Sequence, residues 1–217
     1  MERTGFRVLY MVPILYLVSL YACPILLGFL PQGQSEEAGS AALTVMAIPF
    51  ILAVANIAAA VVGYQSESRA FLLNSAVLLK YGLVPFFVMG GALAAGFALS
   101  TFIPVPFMIF VGSPTAIFLS VVGWVLMAAG SAYSLAYLVA TQRDGIRSTA
   151  SVVVNALLQF VFVTDVIDTM VLTWRVGRWR GLTIVVAIVI SIIAISLMVG
   201  AGWVFSTIAS SVAAAAA

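Results

Sequence analysis

Long apolar runs separated by short polar breaks dominate the chain. The runs cover residues 8–30, 41–64, 70–99, 115–140, 149–174 and 182–205, and 64% of all residues are hydrophobic. A helix needs about 20 apolar residues to cross a hydrocarbon core about 30 Å thick, and runs of this length are too long for the strands of a membrane barrel. The pattern therefore predicts an all-α fold: a polytopic transmembrane helical bundle of five to six spans, in a single integral membrane domain over residues 1–217.

The breaks between the runs predict where the helices end. Residues 31–40 and 65–69 are polar, and residues 141–148 and 175–181 are charged. Residues 100–114 are apolar, but they contain three prolines, Pro104, Pro106 and Pro114. Each proline removes a backbone donor and disfavours helix in the residue before it. We expect this stretch to be a loop or a broken helix at the membrane interface, interrupted at each proline.

Basic residues in the short loops predict the orientation, because cytoplasmic loops are enriched in Lys and Arg. Arg3, Arg69 and Arg143 mark three loops that fall on one side, which predicts a cytoplasmic N-terminus in an inner membrane. The basic cluster at residues 175–181 fits that side only if the fifth run does not cross fully. The 26 residues of 149–174 are enough to cross, so a full crossing and a re-entrant segment both stay open, and with them the side of the C-terminus.

The amino-acid composition excludes several kinds of functional site. The chain has no histidine and a single cysteine, Cys23, which excludes imidazole metal ligands, histidine acid–base catalysis and internal disulfides. It carries no GxxxxGK[ST] phosphate loop, so ATP would have to bind a partner. We therefore predict no catalytic residue, no metal and no cofactor, and an enzyme is the less favoured class. The small net charge of +2 gives no reason to expect nucleic acid.

Three charged residues lie inside apolar runs: Lys80 in the third, and Asp165 and Asp168 in the fifth. A charge near the bilayer centre is costly unless it is paired or solvated. We expect Lys80 and Asp165 to face one interior region. The alternative is that the third span begins near Tyr81 and that Lys80 snorkels to the headgroups.

The fifth run carries further polar residues. Asp165 and Asp168 are three residues apart and so lie on one side of a helix, and Asn155 and Gln159 form an i, i+4 amide pair in the same run. A polar stripe in an apolar segment faces a bundle interior or a water-filled cavity. With Lys80, these four residues are the candidates for binding a substrate or an ion. The alternative is a structural ion pair, either Asp165 with Lys80 or Asp168 with an arginine of the next loop.

The break after the fifth run combines aromatic and basic residues. Trp174 and Trp179 stand among Arg175, Arg178 and Arg180. Tryptophan and arginine together are typical of the membrane–water interface. The three arginines are therefore candidate ligands for anionic lipid headgroups.

Three stretches carry a resemblance to a known family: residues 81–87 (YGLVPFF), 131–148 (SAYSLAYLVATQRDGIRS) and 151–178 (SVVVNALLQFVFVTDVIDTMVLTWRVGR). Their features are a Pro-aromatic pair after a lysine, a Ser-x-Tyr near the end of the fourth helix, a short charged turn, and an aromatic-Val-x-Asp-Val core. In these features the chain resembles a family of small bacterial multi-pass membrane proteins, a domain of unknown function. The resemblance implies an all-helical membrane fold and no particular activity. A further span at residues 182–205 is not expected of that family.

These observations favour a transporter of a small polar or ionic solute, or the membrane subunit of one. Membrane lipids, and a partner membrane subunit or ATPase, are the expected partners. In size and hydropathy the chain also resembles the substrate-capturing subunits of energy-coupling transporters. The alternative is a non-transporting scaffold, assembly or immunity-type protein that acts through helix–helix contacts. No motif specifies the solute or the oligomeric state.

Overall fold

The computed structural model describes residues 8–30, 36–66, 68–102 and 107–216. Within these ranges the chain is helical and contains no strand, which confirms the predicted all-α fold. The helices are α1 (Met11–Phe29), α2 (Glu36–Gln65), α3 (Arg69–Gly82), α4 (Val84–Ser100), α5 (Met108–Gly130), α6 (Ala132–Arg143), α7 (Thr149–Leu158), α8 (Phe162–Val176) and α9 (Arg180–Ala216).

Five helical stretches are long and apolar enough to cross a membrane: Met11–Phe29, Glu36–Gln65, Arg69–Ser100, Met108–Arg143 and Arg180–Gly200. Large apolar side chains cover their outer surfaces, and Phe29 and Phe110 are 82% and 74% exposed. An apolar surface of this extent is a liability in water and is expected where side chains meet lipid. The helices therefore fit the predicted polytopic membrane fold.

The chain divides into two compact units, Met1–Val171 and Leu172–Ala217. In the first unit α2 packs against α1, α5 and α6, α3 packs against α6, and α4 and α5 form a hairpin. The second unit contains the end of α8 and the long helix α9, and the hydroxyls of Thr173 and Thr183 lie 2.9 Å apart within it. The single-domain organisation stays a prediction.

Three of the predicted helices are interrupted. The third run is interrupted at Leu83, the fourth at Ser131, and the fifth over residues 159–161. One continuous fifth helix is therefore a wrong prediction. Its halves have 10 and 15 residues, about 15 Å and 22 Å of helix, and neither spans about 30 Å of hydrocarbon by itself.

A tyrosine from α1 produces the bend at Leu83. The Tyr21 hydroxyl donates a hydrogen bond to the carbonyl oxygen of Gly82 at 2.6 Å and accepts one from the backbone N–H of Phe86 at 3.2 Å. It therefore stands between the two groups that an unbroken helix would pair directly. An inserted side chain and a nearby proline, here Pro85, are both recognised causes of helix kinks.

The proline-rich stretch is only partly as predicted. α4 ends at Ser100 and α5 begins at Met108, so no single helix covers residues 100–114, as expected. Pro104 and Pro106 lie outside the described residues. The prediction that Pro114 also interrupts the backbone is wrong, because Pro114 lies inside α5, and the fourth run begins at Met108 rather than at residue 115.

Close packing in the α4–α5 hairpin explains this extension. A Cβ atom added to Gly112 would lie 2.6 Å from the carbonyl oxygen of Phe97, so only glycine permits this approach. The hydroxyls of Thr101 and Ser113 meet at 3.1 Å across the same hairpin. These contacts extend the helix past the missing donor of Pro114, as tertiary packing often does in membrane helices.

Candidate functional site

Lys80 is buried and paired with Asp165. Both side chains are 3% exposed, and the Lys80 ammonium donates hydrogen bonds to Asp165 Oδ1 and, at 2.5 Å, to Ser131 Oγ. The prediction that Lys80 and Asp165 face one interior region is confirmed. The snorkelling alternative is wrong, because the ammonium group is enclosed by protein.

A second ion pair marks the depth of this site. Arg69, at the start of α3, pairs with Asp144, and Arg143 also approaches Asp144 at 3.9 Å. Arg69 and Arg143 therefore share one end of the bundle. Arg3, the third residue predicted on that side, lies outside the described residues, and the side of the membrane stays a prediction. Lys80 follows Arg69 by 11 residues on α3, which is about 16 Å of helix, so an interface at Arg69 places Lys80 near the middle of a bilayer core about 30 Å thick.

The pair belongs to a larger polar core, which we define as Lys80, Ser131, Gln159, Asp165 and Asp168; all five are buried. Ser131 Oγ lies 3.0 Å from the carbonyl oxygen of Met127 and 3.1 Å from that of Gln159, and its single proton serves one of them at a time. The Gln159 amide donates to Asp168 Oδ2 at 2.5 Å. Four of the five predicted binding residues are thus brought together.

Asn155 is the exception. It is half-buried on α7 and makes none of the hydrogen bonds of the polar core. Asn155 and Gln159 do lie one helical turn apart, since the Gln159 N–H bonds the carbonyl oxygen of Asn155 at 3.2 Å, but of the two side chains only that of Gln159 donates within the polar core. Asp165 and Asp168 do share a helix, α8, and both are buried.

The polar core lies where three helices are interrupted. Ser131 is the α5–α6 junction, Gln159 is the first residue of the α7–α8 break, and Lys80 precedes the Leu83 bend by three residues. Side chains satisfy the carbonyl oxygens of the break. Thr164 donates to Leu158 at 2.9 Å, and the Trp124 indole donates to Phe160 at 3.1 Å. Irregular backbone at membrane depth is tolerated only when protein or water covers it in this way.

Side chains from α1 and α2 satisfy the α5–α6 junction. Tyr16, which is fully buried, donates to the carbonyl oxygen of Leu126 at 2.8 Å, and the Asn56 amide donates to that of Ala129 at 3.3 Å. The sequence analysis did not select Tyr16, Asn56 or Ser131. Their only signal is that they are polar residues inside apolar runs, which many membrane helices also contain.

Several buried polar atoms have no hydrogen-bond partner within the described part of the chain: Asn56 Oδ1, Ser75 Oγ, Tyr133 Oη, Ser134 Oγ, Arg147 Nη1 and Gln159 Oε1. Buried polar atoms in native proteins are nearly always bonded to protein, water or a ligand. Gln159 Oε1 belongs to the polar core itself. The core therefore retains an acceptor for a water molecule or a polar solute.

The predicted headgroup ligands lie in the second unit. Arg175, Arg178 and Arg180 are all exposed, and Arg180 donates to the carbonyl oxygen of Trp174 at 3.3 Å while its guanidinium lies 5.5 Å from the centre of the Trp174 ring. This arrangement holds Arg180 in place and leaves Arg175 and Arg178 accessible. Binding of lipid headgroups there stays a prediction.

Residues 7–180 match a family described as "Family of unknown function (DUF6652)". The match covers most of the chain, and the protein belongs to this family. It includes the whole polar core and ends where α9 begins, so the additional span lies outside it, as the resemblance implied. No curated protein and no solved structure is detectably similar.

Proposed function

We propose that this membrane protein transports a small polar or ionic solute, alone or as the membrane subunit of a larger transporter, and that the polar core is its binding site. The observation that carries the proposal is the buried Lys80–Asp165 pair at the meeting point of three interrupted helices. Since the chain has no phosphate loop, any ATP-driven step would belong to a partner ATPase.

The energetics of buried charge support this choice. A buried ion pair rarely stabilises a fold more than apolar side chains of similar volume, because desolvation offsets the attraction. Ionisable residues within membrane segments therefore generally mark a path for ions or solutes. A pair that served only to hold helices together could be replaced by apolar residues of similar volume without loss of stability.

The interrupted helices support it too. In many transporters the binding site lies near the bilayer midplane, where discontinuous helices expose backbone dipoles to the solute. Here the α7–α8 break brings Gln159 to Asp168 and to Ser131. Lys80 supplies a cation, Asp165 and Asp168 supply carboxylates, and Gln159 Oε1 supplies an open acceptor. This set suits a solute that carries a charge and a hydrogen-bond donor.

One observation favours the alternative, a scaffold or assembly protein. Protein groups already bond the Lys80 ammonium and the carbonyl oxygens of Leu158, Gln159 and Phe160. Hydrogen bonds of this kind can serve to fix the positions of the helices. In that case the polar core would bind no solute, and replacing its ion pair by neutral residues would leave the function intact.

The basic residues at the ends of the helices support a location and an orientation in the membrane. We place it in an inner membrane with a cytoplasmic N-terminus, because Arg69 and Arg143 share one end of the bundle and basic loops are generally cytoplasmic. Arg175 and Arg178 would contact anionic headgroups through their exposed guanidinium groups.

Ligand-dependent stabilisation of the purified protein tests the binding site. The unfolding temperature is measured with sodium, potassium and phosphate ions, the common amino acids, hexoses and nucleobases. A ligand at 100 times its Kd stabilises a protein by about 2.7 kcal/mol. At least one solute should stabilise the wild type and the control Arg69→Met/Asp144→Asn, but not Lys80→Met/Asp165→Asn. If none does, or if the double variant of the core responds equally, the polar core is not the site.

Uptake into reconstituted vesicles then separates transport from binding. The stabilising solute is added outside in labelled form, and its accumulation is followed for the wild type and the same two double variants. We expect uptake by the wild type and by the Arg69→Met/Asp144→Asn control only. Binding without uptake by the chain alone would favour a subunit that needs its partner, and uptake by Lys80→Met/Asp165→Asn would refute the proposed role of the pair.

A further inference from the structure

A buried polar stripe runs along α6 from the polar core. It consists of Ser131, Ser134, Tyr137 and Thr141, at spacings of three, three and four residues, and all four are buried. Residues at these spacings share one face of a helix. The stripe starts at the hydrogen-bond partner of Lys80 and ends beside the charged turn that contains Asp144.

The packing of α3 on α6 defines the course of this stripe. Lys80 meets Ser131 near one end of the pair of helices, and Arg69 meets Asp144 at the other, so the two helices run antiparallel. The two contacts are about 16 Å apart along α3. Ser75 lies between them on α3, as Ser134 does on α6.

Three hydroxyls in this region have no partner among the described residues: those of Ser75, Ser134 and Tyr133. All three side chains are fully buried. An unbonded hydroxyl in an apolar interior is unfavourable, and native proteins satisfy such groups with ordered internal water. The three hydroxyls belong to two helices, α3 and α6, that pack against each other.

Polar groups continue from there to the surface. Tyr137 is buried on α6 one turn beyond Ser134, and Arg147 Nη1 is another buried atom without a partner in the described chain. The side chains of Arg69 and Asp144 are 44% and 25% exposed and reach solvent. Buried polar groups therefore occur on these two helices between the contact of Lys80 with Ser131 and that of Arg69 with Asp144.

We infer that the α3–α6 interface holds internal water that connects the Lys80–Asp165 pair with the aqueous phase at the Arg69–Asp144 end. The inference deepens the proposed function, since it names the side from which the polar core is reached. Water would bridge the hydroxyls of Ser75, Tyr133 and Ser134, each water molecule using two or more of these polar partners. The other end of the core would be closed to water in this conformation.

Cysteine reactivity tests the inference directly. The only native cysteine, Cys23, is buried and is first changed to serine. Ser75→Cys and Ser134→Cys are then treated with methyl methanethiosulfonate, a small neutral reagent. The control is Ala60→Cys, whose native side chain is fully buried on α2, outside the two helices of the interface. Only a thiolate reacts, and a thiolate forms only where water is present, so both serine positions should react at least about tenfold faster than the control. Equal rates at all three positions would overturn the inference.

The sign of a stability change provides a second readout. If Ser134 stands in a dry core, Ser134→Ala removes an unsatisfied hydroxyl and raises the unfolding temperature. If the hydroxyl binds internal water, the same change leaves that water short of a partner and lowers the unfolding temperature. Ser191→Ala, at an exposed serine that bonds only within its own helix, is the control and should change little. A rise for Ser134→Ala would contradict the inference.

These results do not depend on transport. Fast cysteine reactions in a protein that no solute stabilises would leave the hydrated interface standing and remove the proposed function. Slow cysteine reactions in a protein that a solute does stabilise would remove the hydrated interface and leave the proposed function standing. The polar core would then be reached from another side.

Discussion

The hydroxyl of Tyr21 donates to the carbonyl oxygen of Gly82 at a distance of 2.6 Å, although 61 residues separate the two. This bond fixes the direction of α3 just beyond Lys80. Because α1 supplies the hydroxyl, the position of the buried lysine depends on a helix that contributes nothing to the polar core itself.

Removing this hydroxyl should loosen the bend. Tyr21→Phe leaves the Gly82 carbonyl and the Phe86 amide without their shared partner, and the loss of these partly buried bonds should cost about 1–3 kcal/mol. The free energy of unfolding, measured by titration with denaturing detergent, should fall by that amount. Tyr64→Phe keeps the ring beneath the Arg143 guanidinium and should change stability by less than about 0.5 kcal/mol. Equal effects of the two changes would contradict the structural role of the Tyr21 hydroxyl.

Ser131 should matter more than other serines of the same segment. Its hydroxyl accepts from Lys80 and faces two carbonyl oxygens, so Ser131→Ala should destabilise the protein by about 1–3 kcal/mol. Ser120 bonds only to the carbonyl oxygen of Ala116 in its own helix, and Ser120→Ala should be close to neutral. The same unfolding titration measures both, and a neutral Ser131→Ala would show that the hydroxyl does not support the core.

The two ion pairs of the bundle should differ in strength. Arg69 and Asp144 remain partly exposed, and exposed ion pairs contribute about 0–1 kcal/mol. Arg69→Met should therefore lower the free energy of unfolding by no more than about 1 kcal/mol, and salt should weaken even this contribution. If Arg69→Met lowered the free energy of unfolding as much as Lys80→Met does, burial would not account for a difference between the two ion pairs.

Topology can be measured through the loops at the Arg69 end. Ser66→Cys and Ile146→Cys place thiols at exposed positions near Arg69 and Asp144, again with Cys23 changed to serine. An impermeant thiol reagent added to intact cells should label neither position, and both should be labelled once the membrane is opened. Labelling of both from outside would reverse the orientation, and labelling of one alone would contradict their shared side.

The sequence was most informative where charge is rare. Lys80 and Asp165 could be paired in advance because an unpaired charge in hydrocarbon is costly and the apolar runs contain few charges. The cost of buried charge also selected Asp168, whereas Gln159 was selected as half of an amide pair with Asn155 in the same apolar run. The sequence could not exclude Asn155, because an amide in an apolar run fits either a site or a half-buried helix face.

The interruptions were harder to predict. The bend at Leu83 has a visible signal in Pro85, but its direction depends on Tyr21 from another helix. The break over residues 159–161 contains neither glycine nor proline. At this break the Trp124 indole bonds the carbonyl oxygen of Phe160, and the Ser131 hydroxyl lies within bonding distance of that of Gln159; a continuous helix would use both oxygens internally. Such competition is a tertiary effect, and helix propensity does not register it.

A double-mutant cycle on Lys80 and Asp165 tests the central claim most directly. Each single change, Lys80→Met or Asp165→Asn, strands the other charge in the bundle and should lower the free energy of unfolding by about 3–5 kcal/mol. The double variant should be milder than the sum of the two, with a coupling energy of at least about 2 kcal/mol. If the two losses simply add, the charges do not act as a pair, and the polar core as described here does not exist.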